Sequence, residues 1–261
     1  ITDSIYWPYY WNSGYHLVGE FSFKAVTDAD IIFSNVTFNL DGRSSGPNNK
    51  FDIDFNTSRT IIFKDGTNIS ADNFRKSTFK LVAEEISFSG ANLLVGTKSS
   101  ECYSNFEVDS DIIINASILK LTNSTVKTES DLTCTNSHTG YNRKAYSDIS
   151  IESNDFEVRN SSLISQGRND GVNSQNYNAY VNFDIDVINF TVEKSVIQSK
   201  RETAHGDEHL DIDSFNFTQL NSTLKALWTD IEVGTASGNQ SGILKITDSI
   251  YRPYYWNSGY P

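Results

Sequence analysis

The stretch Asp111–Thr128, DIIINASILKLTNSTVKT, sets out the organising pattern of the chain. Ile112 and Ile114 alternate toward one face, small Ala116 follows, and Ile118 or Leu119 and then Leu121 resume the alternation. Asn123-Ser124-Thr125 then turns the chain into Val126. Period-two alternation on both sides of a short polar corner predicts two strands joined by a tight turn. The same order returns in FKLVAEEISFSGANLL at Phe79–Leu94, ISIESNDFEVRNSSLI at Ile149–Ile164 and FDIDVINFTVEKSVI at Phe183–Ile197. Looser copies end at Phe63, near Leu220 and at Ile246. Marking the last inward residue before each corner gives Ile1, Phe38, Phe63, Phe88, Leu121, Val158, Val192, Leu220 and Ile246. The spacing is roughly 30 residues, inside the range of solenoid repeats, so each repeat reads as one coil.

A chain of 261 residues with 38% hydrophobic content is long enough to bury a core. The repeat predicts one continuous solenoid over residues 1–261, because a coil contacts only its neighbours. Helical patterning is missing: there is no Met, Ala is sparse, and no window sustains apolar residues at helical spacing. Val, Ile, Phe, Tyr, Thr and Ser carry the chain instead, a composition suited to strands. The expected fold is therefore all-β, with about eight coils.

The formal charge of −12, with no block of Lys or Arg, argues against nucleic acid as a partner. It also argues against anionic membrane surfaces. No apolar run approaches the roughly 20 residues of a membrane span, and no signal segment is discernible. A chain that begins at Ile1 and holds no Met reads as a piece of a longer product. Cys102 follows Phe88, and Cys134 follows Leu121, at nearly the same place in consecutive coils. Stacked strands lie about 4.8 Å apart, a separation that a disulfide accepts. A Cys102–Cys134 bridge and an oxidising, extracellular compartment are the expectation, against two unpaired thiols.

Variable loops are expected after the second strand of each coil, at Gly96–Asn105, Lys127–Tyr146, Gln166–Tyr180 and Ser199–Glu208. That placement stacks the insertions along one side, where repeat proteins often bind. At the tight corner, Asn123, Asn160 and Asn221 share a register that would let their amides stack from coil to coil. The competing use is N-glycosylation. Sequons occur at Asn35, Asn56, Asn68, Asn115, Asn123, Asn160, Asn189, Asn216, Asn221 and Asn239, about twice the chance number. Of these, Asn115, Asn189 and Asn216 fall between inward positions and should point outward.

Among candidates for chemistry, carboxylates form an outward column. Asp184 and Asp186 alternate with Phe183, Ile185 and Val187; Asp211 and Asp213 flank Ile212; Glu152 takes the matching place one coil earlier. Such a column would raise some of its own pKa values or recruit Ca²⁺, with Asp184, Asp186, Asp211 and Asp213 as ligands. Paired carboxylates also suit glycoside hydrolysis. Asp52 and Asp54 repeat the motif elsewhere, as a solvated acidic face would. His205-Gly-Asp-Glu208-His209 matches the H-x-x-E-H spacing of some zinc peptidases, but it lies in a loop with no helix to align the ligands. No nucleophile, base and orienting group are spaced as a triad, so an enzyme is not expected.

The coil pattern over Phe21–Ile250 resembles right-handed parallel β-helices of the pectin-lyase-like architecture. It is similar, more closely, to the long repetitive β-helix surface proteins of protists and to bacterial filamentous adhesins. The Asn-Thr-Asp and Gly-His-Gly motifs of the pectin-degrading enzymes do not occur, so no catalytic residue is carried over. The resemblance implies an extracellular stalk or fibre.

A second, longer period lies over the coils. ITDSIYWPYYWNSGY at Ile1–Tyr15 returns as ITDSIYRPYYWNSGY at Ile246–Tyr260, a shift of 245 residues with Arg252 in place of Trp7. A solitary solenoid has atypical end caps, whereas matching ends let stacking continue. The expectation is one unit of about 245 residues plus the start of the next, its partners being copies of itself or adjacent repeats. Eight coils give an axial repeat of roughly 38 Å. The aromatic strip (Tyr6, Trp7, Tyr9, Tyr10, Trp11; Tyr251, Tyr254, Tyr255, Trp256) would serve lateral contacts or sugar stacking once per repeat. The alternative is a carbohydrate-binding or carbohydrate-active β-helix that uses Glu152, Asp184, Asp186, Asp211 and Asp213.

Overall fold

The computed structural model describes residues 5–6, 20–42, 49–99, 106–134, 142–171, 177–202, 205–234 and 242–253, and every regular element among them is a β-strand. The strands are β1 (Ile5–Tyr6), β2 (Glu20–Thr27), β3 (Ile31–Ser34), β4 (Thr37–Asp41), β5 (Lys50–Thr57), β6 (Thr60–Lys64) and β7 (Asn68–Phe74). Then follow β8 (Lys76–Ser89), β9 (Asn92–Ser99), β10 (Phe106–Thr122), β11 (Thr125–Cys134), β12 (Arg143–Arg159), β13 (Ser162–Gly171) and β14 (Tyr177–Glu193). The last are β15 (Val196–Arg201), β16 (Glu208–Leu220), β17 (Thr223–Ala226), β18 (Trp228–Val233), β19 (Leu244–Thr247) and β20 (Ile250–Pro253).

All pairings are parallel, and they build two sheets. The 9-stranded sheet runs β1-β4-β7-β9-β11-β13-β15-β17-β20, and the 11-stranded sheet follows β18-β16-β14-β12-β10-β8-β5-β2 with β3, β6 and β19 attached. The long strands of the larger sheet bend once, at Ser117, Asn154, Ile188 and Phe215, where pairing skips a residue. Where the strands are shorter, the same limbs are separate: β2 and β3, β5 and β6, β18 and β19. Each repeat thus supplies two limbs to one sheet and one strand to the other, the layout of a β-solenoid.

The alternation read in Asp111–Thr128 sets the register. Ile112 lies between Phe79 and Ile149, and Leu121 between Phe88 and Val158. Inward columns bury a shared core in which like stacks on like. Phe33, Phe63 and Phe88 stack at centroid distances of 5.1 and 4.8 Å, and Phe156, Phe190 and Phe217 at 4.9 and 5.2 Å. Two of the inward markers shift. The residue stacked on Phe63 is Phe33, while Phe38 belongs to the other sheet over Ile69. Val192 is followed by Gln219 rather than Leu220. Gln219 is buried and donates to the Ser222 carbonyl, a polar residue in a core column that hydropathy alone passes over.

The tight corner works differently from an amide ladder. Asn35, Asp65, Gly90, Asn123, Asn160, Lys194, Asn221 and Asp248 all have positive φ between 47° and 62°, the left-handed region that Gly and Asn enter at least cost. Asn123, Asn160 and Asn221 are exposed there. Stacking is carried by the next residue. The backbone N–H groups of Ala91, Ser124, Ser161 and Ser195 donate to the hydroxyls of Ser124, Ser161, Ser195 and Ser222, each at 3.1 Å. Each of these hydroxyls in turn donates to the carbonyl two residues before it. A buried hydroxyl ladder therefore satisfies corner amides that would otherwise be orphaned.

The expected loops are shorter than the sequence pattern implied, because β9, β11, β13 and their successors run into them. Beyond the main core, Ser110, Ser130, Ser147, Thr128 and Ser165 exchange buried hydroxyl bonds between the sheets and along one of them. Past that layer Val108, Leu132, Ala145 and Ala179 form a small second core. Replacing Ser195 by Ala leaves the Ser161 amide without an acceptor and should destabilise by about 1–3 kcal/mol. Asn160→Gly, which preserves the left-handed corner, should stay within roughly 0.5 kcal/mol; chemical denaturation of both variants checks the pair.

Candidate functional site

The larger sheet turns its outward columns to solvent, and their register is fixed strand by strand. Asn115, Glu152, Asp186, Asp213 and Glu232 form one column. Ser150, Asp184, Asp211 and Asp230 form the next. The five predicted carboxylates are thus brought onto one face, and Asp230 and Glu232 join them. The signal for those two was the alternation TDIEV around Ile231, which repeats Asp211-Ile212-Asp213. Two adjoining surface grooves lie along these columns, sharing Glu152, Asp186 and Asp213; the one at the bend is about 360 Å³. Partial burial, then the Asp211 charge, raise the Asp184 carboxyl above its ordinary range, while His209 lowers it. Among the described residues, Asp184, Asp186, Asp211 and Asp213 do not place three ligand atoms within 4.8 Å of one another.

That convergence occurs one column over, where sequence reasoning had no candidate. Asp109, Asp111 and Asp148 bring one carboxylate oxygen each within 4.8 Å. Asp111 pairs directly with Asp148 across β10 and β12, and Asp109 is two residues away on the same face. The signal in the sequence was Asp109-Ser-Asp111, hidden because Asp109 falls within a stretch assigned to no strand. Lys76 Nζ lies 2.7 Å from Asp109 and 4.0 Å from Asp111, and Asn182 donates to Asp148 at 3.0 Å. Burial first, then the charge of Asp109 and a hydrogen bond to it, push Asp111 up to about 8. Burial, then Asp109, push Asp148 up to about 6. The raised pKa of Asp111 and the Lys76 ammonium beside Asp109 lower the net negative charge of the cluster from within. A Ca²⁺ ion needs six to eight oxygen ligands, and the ammonium already fills the cationic role.

The H-x-x-E-H spacing does not make a metal centre. Glu208 is buried, and its carboxylate accepts from the Arg201 and Leu227 backbone amides at 2.8 and 2.7 Å. His209, the next residue, points to the opposite, outward face beside Asp184. Glu208 ties consecutive strand ends together.

The sequons fall into two groups. Asn35, Asn123, Asn160 and Asn221 are left-handed corner residues whose +2 Ser or Thr opens the next strand. Much of the sequon excess is therefore the corner motif itself. Asn56, Asn115 and Asn189 are exposed on strands, and Asn68 and Asn216 are half-buried. Asn115 donates to Glu152, Asn189 to Asp155, and Asn216 to Asn189, each at 2.7 Å, so these outward amides are already engaged. Asn239 lies outside the described residues, as do Cys102, the side chain of Cys134, and the aromatic strip apart from the backbone of Tyr6 and Tyr251. Comparison with family models, curated proteins and solved structures finds no match to this chain.

The acidic cluster makes stability depend on pH. A carboxyl whose folded pKa lies above its unfolded value near 3.9 stabilises the fold below that pH, and the contribution is lost as pH rises through the folded value. Stability should fall between about pH 4 and pH 8 as Asp148 and then Asp111 ionise. Asp111→Asn keeps the hydrogen bond to Asp109 without the ionisation. It should flatten the profile and raise stability at pH 9 by at least about 1 kcal/mol; thermal melts of both proteins from pH 4 to pH 9 provide the check.

Proposed function

We propose that the chain is a structural segment of an extracellular fibre or adhesin, a right-handed parallel β-helix that continues end to end into further copies. One observation carries the reading. Ile5, Thr37, Asn68, Asn92, Thr125, Ser162, Val196, Thr223 and Ile250 form one unbroken column of paired residues. The column begins and ends on the same residue of the repeated peptide, so the period of 245 residues equals a whole number of strand steps, eight. A solenoid unit with that property has one axial translation. Right-handed crossovers between parallel strands are the general rule, which favours a right-handed coil. The roles proposed for the remaining features follow from secretion: a Cys102–Cys134 bridge, sugars on exposed sequons and lateral contacts through the aromatic strip.

Electron microscopy and fibre diffraction of the native material should show thin rods with an axial period of roughly 38 Å, eight steps of about 4.8 Å. Globular particles or a period unrelated to that spacing would remove the reading.

A second reading, a carbohydrate-binding or carbohydrate-active solenoid, is favoured by the open groove along Asn115, Glu152, Asp186 and Asp213. Titration with neutral and basic oligosaccharides, against Asp186→Asn as the comparison, separates the two. Saturable binding that weakens at least tenfold in the variant would support the groove as a ligand site.

A further inference from the structure

The repeated peptide shows both of its edges in one molecule. At the N-terminal end Ile5 and Tyr6 pair with Thr37 and Phe38. At the C-terminal end Ile250 and Tyr251, the same residues of the second copy of the peptide, pair with Thr223 and Leu224. β1 and β20 are the outermost strands of one parallel sheet, so these contacts use opposite edges of the same short strand. Both edges can be filled at once.

The ends of the core agree. Leu244 follows Phe217 in its inward column, and Ile246 follows Gln219. Phe217 is fully buried, yet Leu244 and Ile246 are 57% and 55% exposed, with no strand among the described residues covering them. At the other end Phe21, Phe23, Ala25 and Ile31 pack against the core but are only partly buried. Among the described residues, each end thus leaves apolar core positions incompletely covered.

We infer that the C-terminal end face receives the N-terminal end face of a second copy of this chain, in one defined register. Resting on the fibre reading above, this assigns the joint. The pairing of Ile5 with Thr37 is an offset of 32 residues, which, applied to Ile246 as the counterpart of sequence position 1, leads to Phe33. Ile246 stands where Ile1 stands, and Asp248, like Asn35, is a left-handed corner, so the offset holds through the turn. The incoming copy therefore lays Thr37 and Phe38 on the free edge of Ile250 and Tyr251, Phe33 over Ile246, and Ile31 over Leu244. The first strand of the incoming copy then coincides with Ile250–Tyr251. In a tandem polypeptide the two are one segment; between separate chains the two-residue strand β1 is the lesser structure to displace.

The test is a two-unit polypeptide, residues 1–245 followed by residues 1–261, carrying Lys245→Cys in the first unit and Ile32→Cys in the second. Lys245 and Ile32 are both exposed, and the proposed register puts them side by side on adjacent strands, within reach of a disulfide. Oxidation should give this link in the peptide map, and Ile243→Cys in the first unit with Ile32→Cys in the second, two positions out of register, should not. Solution scattering should show a rod longer than the single chain by roughly 38 Å. If the single chain is itself no rod, the fibre reading fails. If the single chain is a rod but the two units articulate or the link forms only in the shifted pair, the proposed joint is wrong and the reading stands.

Discussion

Everything in this molecule depends on the parallel backbone ladder staying in register from one coil to the next. A slip of one residue would turn every inward side chain outward, because side chains alternate with period two. The chain guards against that slip at the tight corner. A left-handed residue sets the direction of the turn, and the buried hydroxyl after it accepts the amide of the preceding coil, as Ser161 does for Ser124 and Ser195 does for Ser161. The hydroxyl reaches only the corner directly before it in the stack. Register is thereby fixed once per coil by a polar bond, and the Phe and Ile columns then bury their surface against like partners.

The same constraint sets how charge is arrayed on the outer face. Parallel stacking places equivalent residues of successive coils in line, so an outward Asp repeated in each coil becomes a column of like charges. The fold relieves the repulsion in several ways. Asn115, Asn182 and Asn189 donate to neighbouring carboxylates, Lys76 sits beside Asp109 and Asp111, and burial next to Asp109 shifts Asp111 toward its protonated form. Further along, Asp184, Asp186, Asp211 and Asp213 stack in two columns on solvent-facing strands.

Alternation over Asp111–Thr128 was enough to read the strand class, the coil length and most inward columns, since period two is a property of residue order alone. Three kinds of feature were not legible. Gln219 and the corner serines are buried polar residues, and hydropathy assigns such residues to the surface unless their partners are known. Asp109, Asp111 and Asp148 meet only because β10 and β12 pair in one particular register, which spacing along the chain does not reveal. The corner asparagines were legible as a motif but not as a role: Asn-Ser-Thr encodes a left-handed residue, a ladder hydroxyl and a strand start, and the same letters spell a glycosylation signal. The match of Ile1–Tyr15 to Ile246–Tyr260 was visible at once, whereas its placement at the two edges of one sheet needed the topology.

The central claim is that chain position converts to height along one axis at a fixed step per coil. Lys24, Asp54, Lys80, Ile113, Ser150, Asp184, Asp211 and Asp230 occupy one outward column. Spin labels at pairs of these positions, read by pulsed electron resonance, measure that conversion directly. Lys80 to Asp230, five steps, should give about 24 Å, and Lys24 to Asp230, seven steps, about 34 Å. Distances that do not grow in proportion to the number of steps would contradict the stack.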